Sequence, residues 1–239
     1  MNYKLPILPI KEGTMNFEKF YYILELIGTV AFASSGAMIA IRKGMDVFGI
    51  IVLSIITAVG GGIFRDLVLG INPPIAFLQT IYTTVSVVSA TAVIIIYKLI
   101  DKKKFLNMNF LLTYVKIISV LDAIGLGIFT MSGVNLAWKM AYGSNRYLLI
   151  FVGMVTGCGG GVVRDLCAGA IPIIFTKNTI YAMASLLGAV AFILSRQYFR
   201  HYAYLLGVIV VIVVRLLSMK YRWSLPDVRS DLIEDGPNQ

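Results

Sequence analysis

Histidine occurs once in this chain, at His201, and cysteine twice, at Cys158 and Cys167. A single histidine in a basic connection beside Arg200 reads as an interfacial residue, and it leaves no Ser-His-Asp set to assemble. The nine-residue spacing of the cysteines fits no zinc pattern. On one helix about 13 Å would separate them, too far for a disulfide, so both are expected to be buried inert thiols. No metal site, no cofactor and no enzymatic activity are expected. Charge is scarce as well. Average soluble chains carry about 25% charged residues, and this one carries 14%. Basic residues are not interleaved with aromatics, so no nucleic-acid partner is expected despite a net charge of +9. Residues 1–17 hold two prolines, Lys4, Lys11 and Glu12 without a long apolar core, which argues against a cleavable signal peptide.

What the chain has instead is apolar length. It is 58% hydrophobic over 239 residues, with a mean hydropathy of +0.83. A soluble protein of this composition could not cover its surface with polar groups, so the fold class expected is an all-α membrane protein. A span needs about 20 apolar residues, and seven runs qualify: about 18–41, 47–70, 77–99, 112–137, 146–169, 177–197 and 202–220. The organisation follows: an N-terminal segment 1–17, a three-helix unit 18–100, a basic loop 101–111, a second three-helix unit 112–198, a seventh transmembrane helix 199–222 and a polar tail 223–239. Asn72-Pro73-Pro74 and Pro172 are expected to end the second and fifth runs.

The two units are copies. Gly28, Phe32 and Ser35-Gly36 recur 97 positions later as Gly125, Phe129 and Ser132-Gly133. The offset then becomes 99 for Pro73 and Pro172 and for Thr80-Ile81-Tyr82 and Thr179-Ile180-Tyr181. It also holds for the longest shared stretch, Gly60-Gly61-Gly62-x-x-Arg65-Asp66 and Gly159-Gly160-Gly161-x-x-Arg164-Asp165. Three spans per copy force the second copy to insert upside down, the inverted repeat that places a site at the repeat interface. Three successive glycines cost roughly 1 kcal/mol each against alanine in a helix. They occupy every face, which favours a bend or break over packing, and carbonyls exposed there would offer a cation hard oxygen ligands. Gly125, Gly127 and Gly36 are assigned to packing of the first and fourth spans.

Charges at membrane depth default to function. Glu25 and Asp122 are repeat mates 97 apart. Antiparallel neighbours put Glu25 and Arg65 at one depth near the outer face, and Asp122 and Arg164 at one depth near the inner face. Two acid–arginine clusters are predicted, with Asp66 and Asp165 as further members and Arg215 joining Asp122 or Asp165. Such clusters either pin helices together or flank a permeation path and tune its field. For topology, one side of the membrane collects Lys4, Lys11, Lys19, Lys139, Arg146, Arg196 and Arg200. The other collects Arg42, Lys43, Lys98, Lys102, Lys103, Lys104, Lys177, Lys220, Arg222 and Arg229. The richer side is cytoplasmic by the positive-inside rule, which puts the N-terminus outside and the C-terminus in the cytoplasm.

Two Gly-Gly-Gly-x-x-Arg-Asp stretches, each on the second helix of an inverted three-helix repeat followed by a seventh helix, resemble the trimeric intracellular cation (TRIC) channels, in their short prokaryotic form. The resemblance covers about 17–220. It implies a homotrimer in a prokaryotic plasma (inner) membrane, with one pore per protomer formed by bent second and fifth helices. It also implies passive flow of K+ and Na+, with weak preference for potassium. Gly60, Gly61, Gly62, Gly159, Gly160 and Gly161 would be the kink residues, and Arg65, Asp66, Arg164 and Asp165 would lie at the pore. Animal members respond to membrane lipids and calcium, and prokaryotic relatives have been labelled transporters of glycine or small solutes. A secondary transporter is therefore the alternative.

Overall fold

The computed structural model describes residues 15–99, 108–176, 180–199 and 202–223. Regular structure among these is helical. We number α1 (Met15–Arg42), α2 (Val47–Val68), α3 (Ile81–Leu99), α4 (Met108–Ala137), α5 (Arg146–Cys167), α6 (Tyr181–Ser195) and α7 (Ala203–Tyr221). A single helical turn at Ile75–Leu78 precedes α3, and a 3-10 turn at Ile173–Phe175 precedes α6. An irregular turn at Trp138–Tyr142 follows α4. The N-terminal segment to residue 14, the loop with Lys102–Lys104, Lys177, Thr179, Arg200, His201 and the tail from 224 with Arg229 lie outside the described residues.

Helix boundaries repeat as the sequence does. Asp46 caps α2 by accepting the Gly49 N–H at 2.7 Å, and Asn145 caps α5 by accepting the Leu148 N–H at 3.0 Å. At the other end the expected proline stop is overturned: α2 ends at Val68 and α5 at Cys167, several residues before the prolines. Gly70 and Gly169 take positive φ (73° and 64°), and the next amides close back on the Asp66 and Asp165 carbonyls. This is the glycine-terminated Schellman ending, which removes the need for proline.

Six helices are long and apolar enough to cross a membrane. The expected sixth span, about 177–197, is shortened: α6 has 15 residues, about 22 Å of helix against a hydrocarbon core of about 30 Å. The core sits where the two copies meet, and repeat mates meet reciprocally. Between α1 and α4, a Cβ on Gly125 would enter the Phe32 ring and one on Gly28 would press on Phe129 and Ile128. The two phenylalanine rings themselves lie 5.2 Å apart. Gly36 faces Thr57 on α2, and Gly133 faces Thr156 on α5. Gly36 therefore packs on α2, and Gly127 packs on Val208 and Ile212 of α7, not between the first and fourth spans as expected. Cys158 is buried but Cys167, in the last turn of α5, is exposed, so only one of the two thiols is enclosed.

Candidate functional site

The triple glycines lie at the crossing of α2 and α5. Neither helix breaks there: α2 runs helically from Val47 to Val68, and α5 from Arg146 to Cys167. Of the expected bend or break, a break is thus overturned, and the two helices instead cross closely. A Cβ on Gly61 would overlap the Thr156 carbonyl oxygen, and a Cβ on Gly160 would overlap the Thr57 carbonyl oxygen. Gly159 packs on the Cα of Gly61, and Gly60 lies opposite the Cα of Gly160. The physical reason is that backbone–backbone approach offsets the poor helix propensity of glycine, as in small-residue membrane interfaces. Thr57 and Thr156 stand four residues before Gly61 and Gly160. They satisfy their hydroxyls within their own helices, on the Leu53 and Val152 carbonyls, so no polar group is stranded at the contact. Three faces are occupied, as the sequence requires, but by different neighbours. Gly62 opens toward a cavity and Gly161 toward the Tyr181 hydroxyl.

One turn beyond the crossing stand the arginine–aspartate pairs. Arg65 bends onto its own neighbour, its Nε donating to Asp66 Oδ1 at 2.8 Å. Arg164 does the same to Asp165 Oδ1 at 2.9 Å. The second oxygen of each aspartate accepts a backbone N–H from the following short turn, Ile75 at 2.7 Å and Ile173 at 3.0 Å. Asp66 and Asp165 therefore fasten the returning chain to the helix end while fixing the guanidinium.

Around Arg65 gather residues from α1, α3 and α4. Arg65 Nη1 donates to Ser132 Oγ at 3.3 Å, and Ser132 donates in turn to Glu25 Oε1 at 2.5 Å. Tyr82 donates to Glu25 Oε2 at 2.8 Å. Glu25, Gly62, Arg65, Tyr82 and Ser132 share a cavity of about 40 Å³, room for a few waters. Glu25 and Arg65 thus belong to one network, joined through Ser132.

Around Arg164 the contact is direct. Its Nη1 donates to Asp122 Oδ1 at 2.5 Å and to Ser35 at 2.8 Å. Arg164 and Asp122 are fully enclosed. Arg215 of α7 does not pair with Asp122 or Asp165 as expected. It lies with its guanidinium 4.7 Å above the Tyr181 ring, and its Nε and Nη1 make no hydrogen bond. The flat guanidinium suits an aromatic face, and the second Asp122 oxygen is left buried without a hydrogen-bond partner. The sequence reading missed Ser35, Ser132, Tyr82 and Tyr181 as members of the networks. The signal was present, because each is a polar group kept in both copies.

Comparison with known proteins follows the same residues. The family model described as "Glycine transporter" matches residues 22–98 and 119–197. A UPF0126 membrane protein of Vibrio cholerae serotype O1 is 34% identical over 207 residues, covering 86% of this chain and 81% of its own. A prokaryotic TRIC channel crystallised in 0.5 M KCl superposes with a TM-score of 0.77 at 32% identity, covering 87% of this chain and 100% of that one. The TRIC trimeric intracellular cation channel orthologue from Rhodobacter sphaeroides gives a TM-score of 0.74 at 29% identity, covering 85% and 99%. Six helices of membrane-spanning length and these relatives make the chain an integral membrane protein. It belongs to the family described by that model and, by sequence and fold together, to the prokaryotic TRIC family.

Proposed function

We propose that the chain is a potassium-permeable monovalent cation channel. It assembles as a homotrimer with one pore in each protomer, running along the α2–α5 crossing between the two arginine networks. The observation that carries this reading is the pair of charged networks at the far ends of α2 and α5, placed on either side of the glycine crossing, one of them opening into a small cavity that Glu25 and Arg65 share. Charges enclosed among apolar helices are costly, and by default they mark a functional site. The likeness to solved cation channels of this family supports it. The cavity of about 40 Å³ beside Glu25 and Arg65 has room for a few waters. Because α2 and α5 are unbroken, opening takes the form of sliding at the glycine contact, with the glycines as its bearing.

The topology proposed is seven transmembrane helices in a prokaryotic plasma membrane, N-terminus outside and C-terminus cytoplasmic. The short α6 would be seated against α7, where the Ile180 N–H already donates to Ser218 at 3.1 Å. Membrane lipids complete the surroundings. A second reading, a secondary transporter of glycine or another small solute, is supported by the family model's description and by the use of inverted repeats for alternating access.

The deciding experiment is single-channel recording of the purified protein in a planar bilayer under a potassium gradient. Discrete steps reversing near the potassium potential are expected. A silent bilayer, with saturable glycine uptake by the same protein in liposomes, would replace the channel by the transporter.

A further inference from the structure

The seventh helix has no mate in the repeat. The surface it covers on the second copy therefore has a counterpart on the first that no described helix fills. On the second copy α7 lies in the furrow between α4 and α6. A Cβ on Gly127 of α4 would meet the Val208 carbonyl oxygen at 3.1 Å, and one on Gly188 of α6 would meet the Gly207 carbonyl oxygen at 3.0 Å. Tyr204 donates to the Ile128 carbonyl at 3.2 Å, and Ala184 packs in one cluster with Val211. Gly127, Ile128 and Ala184 are the repeat mates of Val30, Ala31 and Val85, at the offsets of 97 and 99. Those three residues, with Ile23 and Ile27 of α1 and Ile124 of α4, line a groove of about 370 Å³ between α1, α3 and α4. Ile23, Ile27 and Val30 are each about half exposed.

The chemistry and shape of the groove select its occupant. Every lining side chain is aliphatic, so the occupant is held by hydrocarbon contact without a hydrogen bond. α7 approaches its furrow over glycines, the small residues that let helices come close in a membrane. On the first copy the mates of Gly127 and Gly188 are Val30 and Ser89, so a second helix would stand further out. Length separates the occupants as well. From Ile23 to Ala31 the groove runs about 12 Å along α1. That is close to the depth of one leaflet, about half of a 30 Å hydrocarbon core. The contacts of α7 run from Ala203 to Ser218, about 22 Å of helix. Lys19 lies four residues before Ile23, on the same face of α1 and one turn nearer its end, and is exposed. It supplies a cation at headgroup level, where an anionic lipid phosphate would sit.

We propose that this groove binds one acyl chain of an anionic phospholipid, from the leaflet at the Met15 end of α1, with the headgroup beside Lys19. The lipid takes on the first copy the place that α7 takes on the second. It braces α1 against α3, the two helices that Tyr82 joins by donating to Glu25, as α7 braces α4 against α6. The site stands apart from the channel reading and needs no current.

Thermal unfolding of the purified full chain in detergent tests this, with phosphatidylglycerol as the probe. The wild-type midpoint is expected to rise with phosphatidylglycerol and saturate, because a ligand bound only by the folded state stabilises it. Val30→Trp fills the groove with its own side chain and should lose most of that rise. Val213→Trp, at an exposed position of α7 outside the groove, should keep it, which separates the site from lipid that merely coats the surface. If Val30→Trp does not fold, Ile27→Phe on the same wall takes its place and should raise the half-saturating lipid concentration several-fold. A wild-type midpoint that ignores phosphatidylglycerol would overturn the proposal. So would a response as large in the groove variant as in wild type, or one lost equally in Val213→Trp. Light scattering on Val30→Trp examines the other occupant: breakdown of the assembled oligomer would assign the groove to a second copy of the chain and overturn the lipid site.

Discussion

At one end of the α2–α5 crossing, Glu25 reaches Arg65 only through Ser132, and the group opens into a cavity. At the other, Asp122 touches Arg164 directly and both are enclosed. The residues are repeat mates throughout, so the difference comes from what surrounds them. Tyr82 is free to donate to Glu25. Tyr181 has Arg215 across its ring, and its hydroxyl makes no hydrogen bond. Glutamate, one methylene longer than aspartate, turns to its tyrosine and serine. Aspartate, its tyrosine unavailable, goes to the arginine. The crossing itself stays symmetric, with Gly61 on the Thr156 carbonyl and Gly160 on the Thr57 carbonyl. The seventh helix, which belongs to neither copy, and the exchange of Glu25 for Asp122 make two matching inventories into two different environments.

The largest test of that difference is removal of one charge from each network. Asp122→Ala leaves Arg164 enclosed without its direct partner and is expected to cost about 3–5 kcal/mol, the usual price of breaking a buried ion pair. Glu25→Gln keeps the shape and lies in a half-open site, so about 1 kcal/mol is expected. Urea unfolding in detergent compares them, and equal losses would erase the distinction between the two ends. A pair of double-mutant cycles sharpens the same point. The Asp122–Arg164 cycle should return a coupling of about 2 kcal/mol, and the Glu25–Arg65 cycle about 0.5 kcal/mol or less, since no direct contact joins that pair. Strong coupling at Glu25–Arg65 would mean that the serine bridge gives way to direct pairing.

At the crossing the expectation reverses, and the two copies should respond alike. Gly61→Ala and Gly160→Ala each drive a methyl into a backbone carbonyl that has no rotamer to change. Each should cost about 1–3 kcal/mol. Gly62→Ala is the control, because its Cβ would meet nothing closer than Arg65 Nη2 at 3.9 Å. Its gain in helix propensity, about 1 kcal/mol, should leave it as stable as wild type or more so. A costly Gly62→Ala would show that the glycines are needed for their backbone freedom and not for the approach of α5.

The repeat, the helices and the charged residues of both networks were legible because each leaves a mark on the sequence: apolar length, a fixed offset, or a charge where charge is rare. The close packing at the glycines was missed because propensity is a local quantity. Nothing in Gly60-Gly61-Gly62 announces that Thr156 and Gly160 lie against it from 95 or more positions away. Arg215 was placed at the right end of the molecule but assigned to a carboxylate, since charge alone favours Asp122 and only the packed structure shows Tyr181 beneath it. The end of α2 was attributed to Pro73 although Gly70 stood nearer, a reminder that a left-handed glycine stops a helix before proline has to.

The smallest effect discriminates most finely between the two ends, because it changes a single oxygen. Tyr82→Phe removes a donor to Glu25 and leaves one carboxylate oxygen without that partner. The cost should be about 1 kcal/mol, read as a lowered midpoint in thermal unfolding. Tyr181→Phe removes a hydroxyl that is buried and unbonded, so nothing is lost, and relief of its desolvation should leave stability unchanged or slightly raised. The phenyl ring left behind still offers its face to Arg215, so the stacking survives the change. If Tyr181→Phe proves as costly as Tyr82→Phe, the Tyr181 hydroxyl has a partner in solution. The two tyrosines would then be equivalent in use as well as in position, and the asymmetry would rest on Arg215 alone.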